Sequence, residues 1–359
     1  MQAKKWIFPV LLSFSLALSG CFSQNSNESQ ALNDDDYAAI LPHESTDTRV
    51  KHISLIQDFD VRIQVEKGLM DLSKQHFPPG QVAFKTHEFL DYDELDATDG
   101  SRGLLGTLRD DNPNGLNPSY NEKFDTGNGI VQGGIILVDL YELDWYRRDK
   151  LDGISIGLVV NDQIDYENNT YTITDEKMKS YIEVTCSKLV NYMRERFNEV
   201  SKEVPIYIAV YEVNHGNSTD SNGGYMYEGL FNGNQHSYKE IDENYVIIPS
   251  VTFTTMDPEM SDEFNEFKKG ITTVLPDSTY VVGEGKFENG TLKYVTFKVT
   301  THGKMMGEIL SATQTVKKYV ELFENTECDY RVQVINNGEV FAVMHRQMGN
   351  KHCDIITTI

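Results

Sequence analysis

Cys21 has the sequence context in which a cysteine thiol receives a lipid. Leu18, Ser19 and Gly20 precede it, so that an apolar residue and two small residues stand immediately before the cysteine. This order is typical of a bacterial lipobox, in which a diacylglyceryl group is attached to the cysteine sulfur and the chain is cleaved before that cysteine. The sequence therefore predicts cleavage after Gly20 and a mature chain that begins at lipidated Cys21.

The residues before Cys21 have the composition of a secretory signal. Lys4 and Lys5 are followed by a run of 13 apolar or small residues, Trp6–Leu18. Such a run is too short to span a bilayer, which takes about 20 residues, but it fits the apolar region of a signal peptide. A buried apolar helix with an incidental cysteine is the alternative. We predict a signal peptide over residues 1–20.

Residues 21–38 are predicted to be a flexible tether. Phe22–Asp36 is rich in Ser, Asn, Gln and Asp and has almost no apolar side chains. Linkers of this composition stay solvated instead of packing. Membrane lipid bound through Cys21 would then hold the rest of the chain at the cell membrane, facing outside.

The chain is strongly acidic. It has 32 basic and 55 acidic residues, a formal net charge of −23, and loss of Lys4 and Lys5 with the signal peptide makes the charge −25. A phosphate backbone repels such a surface, so nucleic acid is excluded as a partner. A solvated extracellular surface explains the composition, and cation binding is the alternative.

Few residue patterns point to catalysis. Asp125-Thr126-Gly127 matches the triplet of aspartic proteases, but their mechanism needs two such aspartates, and no second D-T-G or D-S-G exists in the chain. The usual motifs of serine hydrolases, zinc proteases and phosphate-binding loops are absent as well. We predict a turn at this triplet, no catalytic residue, no cofactor, no metal, and a protein that is not an enzyme.

The remaining cysteines show no metal-site or disulfide pattern. Cys186, Cys328 and Cys353 do not form a C-x-x-C pair, so neither a zinc knuckle nor a disulfide framework is indicated. Cys186 lies on the apolar stripe of a predicted helix and is expected to be buried. A Cys328–Cys353 bridge is left open, and a frayed tail is preferred over a metal site for Cys353 with His345 and His352.

Hydrophobic periodicity predicts an α+β fold. An apolar stripe of helical period marks Asp175–Val200, between alternating strands at Ile154–Val160 and Ile206–Tyr211. The same order of strand, helix and strand returns later, at Leu292–Thr300, about Lys304–Glu324 and Tyr330–Ile335. In each half an earlier helix ends at a proline, Pro78 in the first and Pro276 in the second.

We predict from this order two related units of helix and antiparallel sheet, a tandem internal repeat packed together. The first repeat covers 39–214, with an insertion at about 90–152 that is rich in Gly, Asp and Asn. A connecting segment covers 215–250, and the second repeat covers 251–359. Chance recurrence of strand, helix and strand is the alternative to duplication.

Two groups of aromatic residues suggest a second functional hypothesis. They line a recognition groove between the repeats, or they belong to the core. In the first case the protein is an extracellular ligand-binding module for a peptide, a glycan or a cation. The residues are Tyr225, Tyr227 and Phe231, with Tyr141, Trp145 and Tyr146.

Several segments, in their order along the chain, carry a family resemblance. Besides the lipobox they are Ile40-Leu41-Pro42, Gly115-Leu116-Asn117-Pro118-Ser119, Ile154–Asn161, Pro205–Tyr211 and Ile248-Pro249-Ser250. Together with the repeated elements, they resemble the CamS family, the sex pheromone precursor lipoproteins of low-GC Gram-positive bacteria. The resemblance covers nearly all of the mature chain.

The resemblance implies a membrane-anchored extracytoplasmic lipoprotein without enzymatic activity. It also implies that the signal peptide, after cleavage and trimming, yields a short hydrophobic peptide that ends just before the lipidated cysteine. Neighbouring cells that carry a conjugative plasmid sense such a peptide. On this chain the peptide would be about Phe14–Gly20.

Overall fold

The computed structural model describes residues 29–43, 46–96, 103–213 and 220–358. They form a mixed α+β fold, mostly sheet with several helices. The predicted signal peptide over 1–20, its cleavage position Gly20 and the lipidation residue Cys21 lie outside the described residues. Within the described ranges, no helix is both long and apolar enough to cross a membrane.

The helices of the described ranges differ widely in length. In chain order they are α1 (Thr48–Leu55), α2 (Phe59–Ser73), α3 (Tyr92–Asp96), α4 (Asp175–Arg196), α5 (Val251–Met256), α6 (Pro258–Val274) and α7 (Met306–Leu322).

Local sequence explains where two of these helices begin. The carboxylate of Asp58 accepts hydrogen bonds from the backbone N–H groups of Asp60 and Val61 in the first turn of α2. Asp257 caps α6 in the same way, and α6 then opens with Pro258. These caps satisfy N–H groups that have no partner inside the helix and contribute about 1 kcal/mol each. Proline at the first helical position gives up no hydrogen bond.

The strands divide between one large sheet and two small hairpins. The hairpins are β3 (Lys123–Asp125) with β4 (Ile130–Gln132), and β7 (Gln163–Tyr166) with β8 (Asn169–Thr172). The large sheet contains β1 (Ala38–Ala39), β2 (Ala83–Thr86), β5 (Leu137–Arg147), β6 (Lys150–Asn161), β9 (Ile206–Val213), β10 (Ser221–Asn232), β11 (Gln235–Glu240), β12 (Glu243–Ile248), β13 (Thr279–Glu288), β14 (Thr291–Thr301), β15 (Asp329–Asn336), β16 (Glu339–Arg346) and β17 (Asp354–Thr357).

Strand order in the large sheet follows the order of the chain. The path is β1-β2-β5-β6-β9-β10-β12-β13-β14-β15-β16-β17, with β11 paired to β10. Most neighbours are antiparallel. The parallel pairs are β1 with β2, β6 with β9 and β14 with β15, and the last two pairs are connected through α4 and α7. The two halves of the chain therefore share one sheet, and they meet where β10 pairs with β12.

Helices cover both faces of the first half of the sheet. Along β6, Ile156 belongs to the core under α4, and Val159 belongs to the core under α2. Strand β9 divides in the same way, with Ile208 on the α4 side and Tyr207 on the α2 side. Since successive strand residues point to opposite faces, both strands are buried on both sides and consist of nearly continuous apolar residues.

One face of the second half holds both of its long helices. Phe264 and Phe267 of α6 pack with Phe297 of β14, at ring-centroid distances of 5.4 and 5.3 Å. Phe323, just after α7, joins the same cluster. The opposite face of these strands carries exposed side chains, among them Val282 and Lys298.

The predicted strand–helix–strand segments are confirmed. The range Asp175–Val200 contains α4, about Lys304–Glu324 contains α7, and both helices connect parallel strands. The pairing order antiparallel, parallel, antiparallel occurs in β5-β6-β9-β10 and again in β13-β14-β15-β16. However, α2 lies on the face opposite α4, whereas α6 and α7 share a face. Duplication therefore stays a prediction, as do the boundaries 39–214 and 251–359.

The predicted insertion and the predicted connecting segment both contain strands of the large sheet. The predicted insertion at about 90–152 includes β5, which lies between β2 and β6. Its alternation is obscured in the sequence because Asp139, Glu142 and Asp144 are acidic and yet buried. The predicted connecting segment 215–250 includes β10, β11 and β12, and its first residues, up to 219, lie outside the described ranges.

Candidate binding groove

A groove of about 600 Å³ lies between α2 and the helix-free face of β12, β13 and β14. The exposed side of α2 forms one wall, and Asn222 of β10 lines the groove where the two halves of the sheet meet. This volume is within the range of small-molecule sites, about 300–1,000 Å³. The groove therefore combines the two halves of the chain into one candidate site.

The position of α2 depends on a close helix–sheet contact. A Cβ added to Gly68 of α2 would lie 2.4 Å from Cε2 of Tyr225 on β10. The Tyr225 hydroxyl donates to the carbonyl of Val65, also on α2, and the ring is fully buried. Glycine thus lets the helix approach the sheet, and Tyr225 holds it there.

Exposed apolar side chains surround the mouth of the groove. Phe59 and Ile63 of α2 are 64% and 46% exposed, and Val282 of β13 is 47% exposed. Phe59 and Ile63 are four residues apart and therefore share one face of the helix, away from its buried residues Val65 and Leu69. Groups of exposed apolar residues such as this mark interaction sites more often than single ones do.

A hydrogen-bonded network lines the groove. The Gln64 amide donates to one carboxylate oxygen of Glu284 at 2.6 Å, and the Asn222 amide donates to the other at 2.5 Å. Tyr211, in the core of the first half, donates toward Gln64 Oε1 and the Asn222 carbonyl at 3.2 and 3.1 Å. Burial raises the pKa of Glu284, against the opposing effect of the two amides. The network fixes the orientation of both amides.

The lysines of the groove are all paired with carboxylates. Lys67 lies 2.6 Å from Asp71 on the next turn of α2, and Lys298 lies 3.6 Å from Asp60. Lys286 contacts two carboxylates outside the groove lining, those of Glu243 and Glu288, both at 2.9 Å. The groove therefore offers no unpaired lysine to an anionic ligand.

A second polar cluster is buried where α1 covers β5. His87 Nδ1 donates to the Leu90 carbonyl at 2.8 Å, and burial lowers the pKa of His87 to about 3, so its Nε2 is an acceptor. His52 Nε2 lies 3.0 Å from that atom, and His52 Nδ1 lies 2.9 Å from the Asp139 carboxylate. Through its two ring nitrogens, His52 therefore links the Asp139 carboxylate to His87.

Two more carboxyl groups, those of Glu142 and Asp144, are buried on β5. They are 1% and 0% exposed, and burial raises the pKa of both, that of Asp144 to about 7. One oxygen of each carboxyl is buried without a hydrogen-bond donor among the described residues, which favours the protonated form of the pair. The remaining oxygens accept from the backbone N–H groups of Leu90 and Glu88.

The family model that describes the CamS sex pheromone cAM373 precursor matches residues 44–352. The chain belongs to the CamS family. No curated protein sequence is significantly similar to it. The resemblance predicted from the segments between Ile40 and Ser250 is thus confirmed.

Two solved structures share the CamS fold of this chain. One is a sex pheromone precursor from Lactobacillus salivarius subsp. salivarius UCC118, 23% identical, with a TM-score of 0.78 over 92% of this chain and 98% of that one. The other is the C-terminal domain of the sex pheromone staph-cAM373 precursor from Staphylococcus aureus. It is 19% identical, with a TM-score of 0.67 over 82% of this chain and 96% of that domain. At these identities the similarity establishes the fold.

Five of the six aromatic residues that the sequence offered for a groove belong to the core of this CamS protein. Tyr225, Tyr227 and Phe231 are at most 7% exposed, and Tyr141 and Trp145 are equally buried. Tyr146 is half-buried, and its hydroxyl donates to Glu88. The groove is lined instead by Phe59, Tyr245 and Tyr294. The signal for it in the sequence is the apolar pair Phe59 and Ile63 on the otherwise polar side of α2.

The other candidate positions are structural. Asp125-Thr126-Gly127 forms the predicted turn between β3 and β4, where the Thr126 N–H donates to the Gly129 carbonyl. The thiols of Cys186, Cys328 and Cys353 are buried and unpaired, so the Cys328–Cys353 bridge is not formed. Within the described ranges, His, Cys, Asp and Glu side chains nowhere gather in a group that could hold a metal ion.

Proposed function

We propose that this CamS protein is made as a lipoprotein precursor and is held at the outer face of the cell membrane by lipid on Cys21. The observation that carries the proposal is the Leu18-Ser19-Gly20-Cys21 motif at the end of a signal-like run. Membership of a family of pheromone precursors supports it. The strongly acidic composition would also keep the domain away from an anionic membrane surface.

Cys21→Ser tests the anchor. The unaltered protein expressed in a Gram-positive host should incorporate labelled palmitate and sediment with membranes, because its thiol carries the acyl groups. Cys21→Ser should lose the label and leave the membrane fraction. Cys186→Ser is the control, since that thiol is buried in the core and its loss should leave the label in place. Labelling of Cys21→Ser at the original level would refute the anchor.

We further propose that the signal peptide is the source of a pheromone, the peptide at about Phe14–Gly20. Its support is membership of the family of the CamS sex pheromone cAM373 precursor and the apolar character of the segment. Synthetic Phe14–Gly20 should induce clumping or mating of responder cells at nanomolar concentration, and a scrambled peptide of the same composition should not. No response at micromolar concentration would leave only the anchored domain as the functional product.

The proposal assigns no enzymatic activity to the folded domain. The acid pair Glu142–Asp144 has the raised pKa values that a proton-transfer catalyst needs, but both side chains are enclosed by the sheet and the 88–90 segment. A substrate has no route to them without opening that edge. The cluster therefore supports a structural role.

A second candidate function is extracellular ligand binding in the groove between α2 and the second half of the sheet. The specific observation that favours it is the combination of exposed Phe59 and Ile63 with the oriented amides of Gln64 and Asn222. Apolar surface with a few fixed polar groups is the usual composition of a ligand site. The experiment that tests binding also tests the ligand class and is given below.

A further inference from the structure

The charge arrangement of the groove favours a neutral ligand. Lys67, Lys286 and Lys298 each have a carboxylate partner within 4 Å, so binding an anion would mean breaking existing pairs. The Asp58 carboxylate is engaged as the cap of α2. Glu284 is partly buried and receives two amide donors, so an incoming cation would compete with both. Neither sign of charge gains an unpaired partner in the groove.

The polar groups of the groove are arranged for hydroxyl groups. Each side-chain amide has two N–H donors and a carbonyl acceptor, and only one N–H of Gln64 and one of Asn222 is used by Glu284. The carboxylate of Glu284 keeps acceptor capacity, and Thr296 on the floor adds a hydroxyl. Paired donors and acceptors on rigid planar groups suit the vicinal hydroxyls of a sugar ring.

The aromatic side chains supply the complementary apolar surface. Phe59 and Tyr294 line the groove. A guanidinium lies over one face of each ring, that of Arg62 at 5.6 Å from Phe59 and that of Arg331 at 5.3 Å from Tyr294, so a ligand would pack on the other face. A sugar ring has a face of C–H groups that packs on an aromatic face, while its hydroxyls project from the rim. A groove with ring faces and fixed amides matches both parts of that ligand.

The backbone of the groove floor disfavours an extended peptide. Strand β12 is paired with β10 and β13, β13 with β12 and β14, and β14 with β13 and β15. No strand of the floor has a free edge to which a peptide backbone can add, which is the usual source of affinity for extended peptides. Only side chains are offered to a ligand.

We propose that the groove between α2 and β12–β14 binds a short neutral oligosaccharide. The sugar stacks on Phe59 and Tyr294, and its hydroxyls exchange hydrogen bonds with Gln64, Asn222 and Glu284. This inference rests on the proposed binding function of the groove and names its ligand class. It is independent of the lipid anchor and of the signal-derived peptide.

The test uses the full chain in detergent micelles, titrated by calorimetry with five probes. Tri-N-acetylchitotriose and maltotriose are neutral trisaccharides, the glucosamine trimer is the cationic counterpart of the first, and trigalacturonate is an anionic sugar of similar size. A tetraalanine peptide represents the alternative ligand class. We expect a neutral trisaccharide to bind at least about tenfold more tightly than either charged sugar or the peptide.

Phe59→Ala locates the binding site. Removal of an aromatic contact surface should weaken trisaccharide binding by about tenfold or more. Tyr120→Ala is the matched control, because Tyr120 is 65% exposed and Phe59 is 64% exposed, while Tyr120 does not line the groove. Both variants truncate an exposed ring and should keep the fold, which a thermal melt of each variant checks.

The outcomes separate the ligand class from the binding function. Preferential binding of a charged sugar or the peptide, weakened by Phe59→Ala, would overturn the neutral oligosaccharide and keep the binding groove. Binding that Phe59→Ala leaves unchanged would overturn the site. No binding by any probe would overturn both the ligand class and the groove as a binding site, and the anchored precursor would be unaffected.

Discussion

His52 connects two buried groups, the Asp139 carboxylate and the His87 ring. Asp139 is fully buried, and the His52 ring also stacks on Tyr141 at a centroid distance of 4.2 Å. Removing the partner of a buried carboxylate is costly, because its charge is then left without compensation. The contact between His52 of α1 and Asp139 of β5 therefore stabilises the fold mainly because the loss of either partner is costly, and less through a net attraction between the two groups.

His52→Leu should lower the free energy of unfolding by about 3 kcal/mol, since it leaves the Asp139 carboxylate unpaired in the core. The double variant His52→Leu/Asp139→Leu should cost less than the single one, because no buried charge remains. Urea denaturation followed by circular dichroism measures both. A double variant that loses as much stability as His52→Leu, or more, would contradict the coupling of the two side chains.

The raised pKa values of Glu142 and Asp144 predict a pH dependence of stability. Burial raises the pKa of Asp144 from 3.8 to about 7, so between these values the folded chain binds a proton that the unfolded chain does not. Stability from this pair is therefore greatest at low pH and is lost as pH rises through about 7. His87 acts in the opposite direction, because its lowered pKa costs stability as pH falls from about 6.5 to about 3.

Asp144→Asn isolates the contribution of the carboxyl pair. Asparagine keeps a polar group that donates to Glu142 but does not titrate. The free energy of unfolding of Asp144→Asn, relative to that of the unaltered protein, should therefore rise between pH 4 and pH 8 by on the order of 2 kcal/mol. Asp110→Asn, in an exposed loop, should show no such change. A constant difference across this pH range, measured by urea denaturation, would contradict the raised pKa of Asp144.

Replacement of two helical glycines by alanine should have opposite effects on the stability of the chain. Gly68→Ala should destabilise the chain by about 2 kcal/mol, because the new methyl group meets the buried ring of Tyr225. Gly307→Ala in α7 should stabilise it by about 0.5 kcal/mol, because a Cβ there has no neighbour within 4 Å and alanine favours the helix. Thermal melts measure both, and a stabilising Gly68→Ala would contradict the close packing of α2.

Elements with a single apolar stripe could be predicted from the sequence, and those with mixed signals could not. The stripes of α4 and α7 and the alternation of β14 gave their positions because one face of each is buried. Strand β5 was obscured by Asp139, Glu142 and Asp144, whose burial depends on partners distant in sequence, among them His52 and the N–H of Leu90. No local pattern reveals such partners.

The same distinction applies to the candidate sites. Lipidation of Cys21 is predicted from a contiguous motif, the lipobox, which needs no tertiary structure, and it stays a prediction. The groove brings Gln64 to Glu284 across 220 positions of the chain, and it exists only because α2 lies against the second half of the sheet. The sequence suggested a groove between the halves, but it offered aromatic residues that belong to the core.

At the level of the whole chain, the excess of acidic residues predicts a salt effect. A formal net charge of −23 opposes the compact state through repulsion among surface carboxylates. Raising NaCl from about 0.01 M to about 0.15 M shortens the screening length from about 30 to about 8 Å and should raise Tm by a few degrees. Near the isoelectric point the gain should vanish. A Tm that is insensitive to salt at neutral pH would contradict this.

The order of strands in the large sheet places the two ends of the described chain at opposite edges of the sheet. Strand β1, near the amino-terminal end, and β17, near the carboxyl-terminal end, occupy its two opposite edges. Twelve strands on this path, at about 4.8 Å per step, extend about 50 Å. If the chain is tethered by its first residues, strand β17 lies at the edge of the sheet farthest from the tether. A tag fused after β17 would therefore be displayed about 50 Å from the edge at β1.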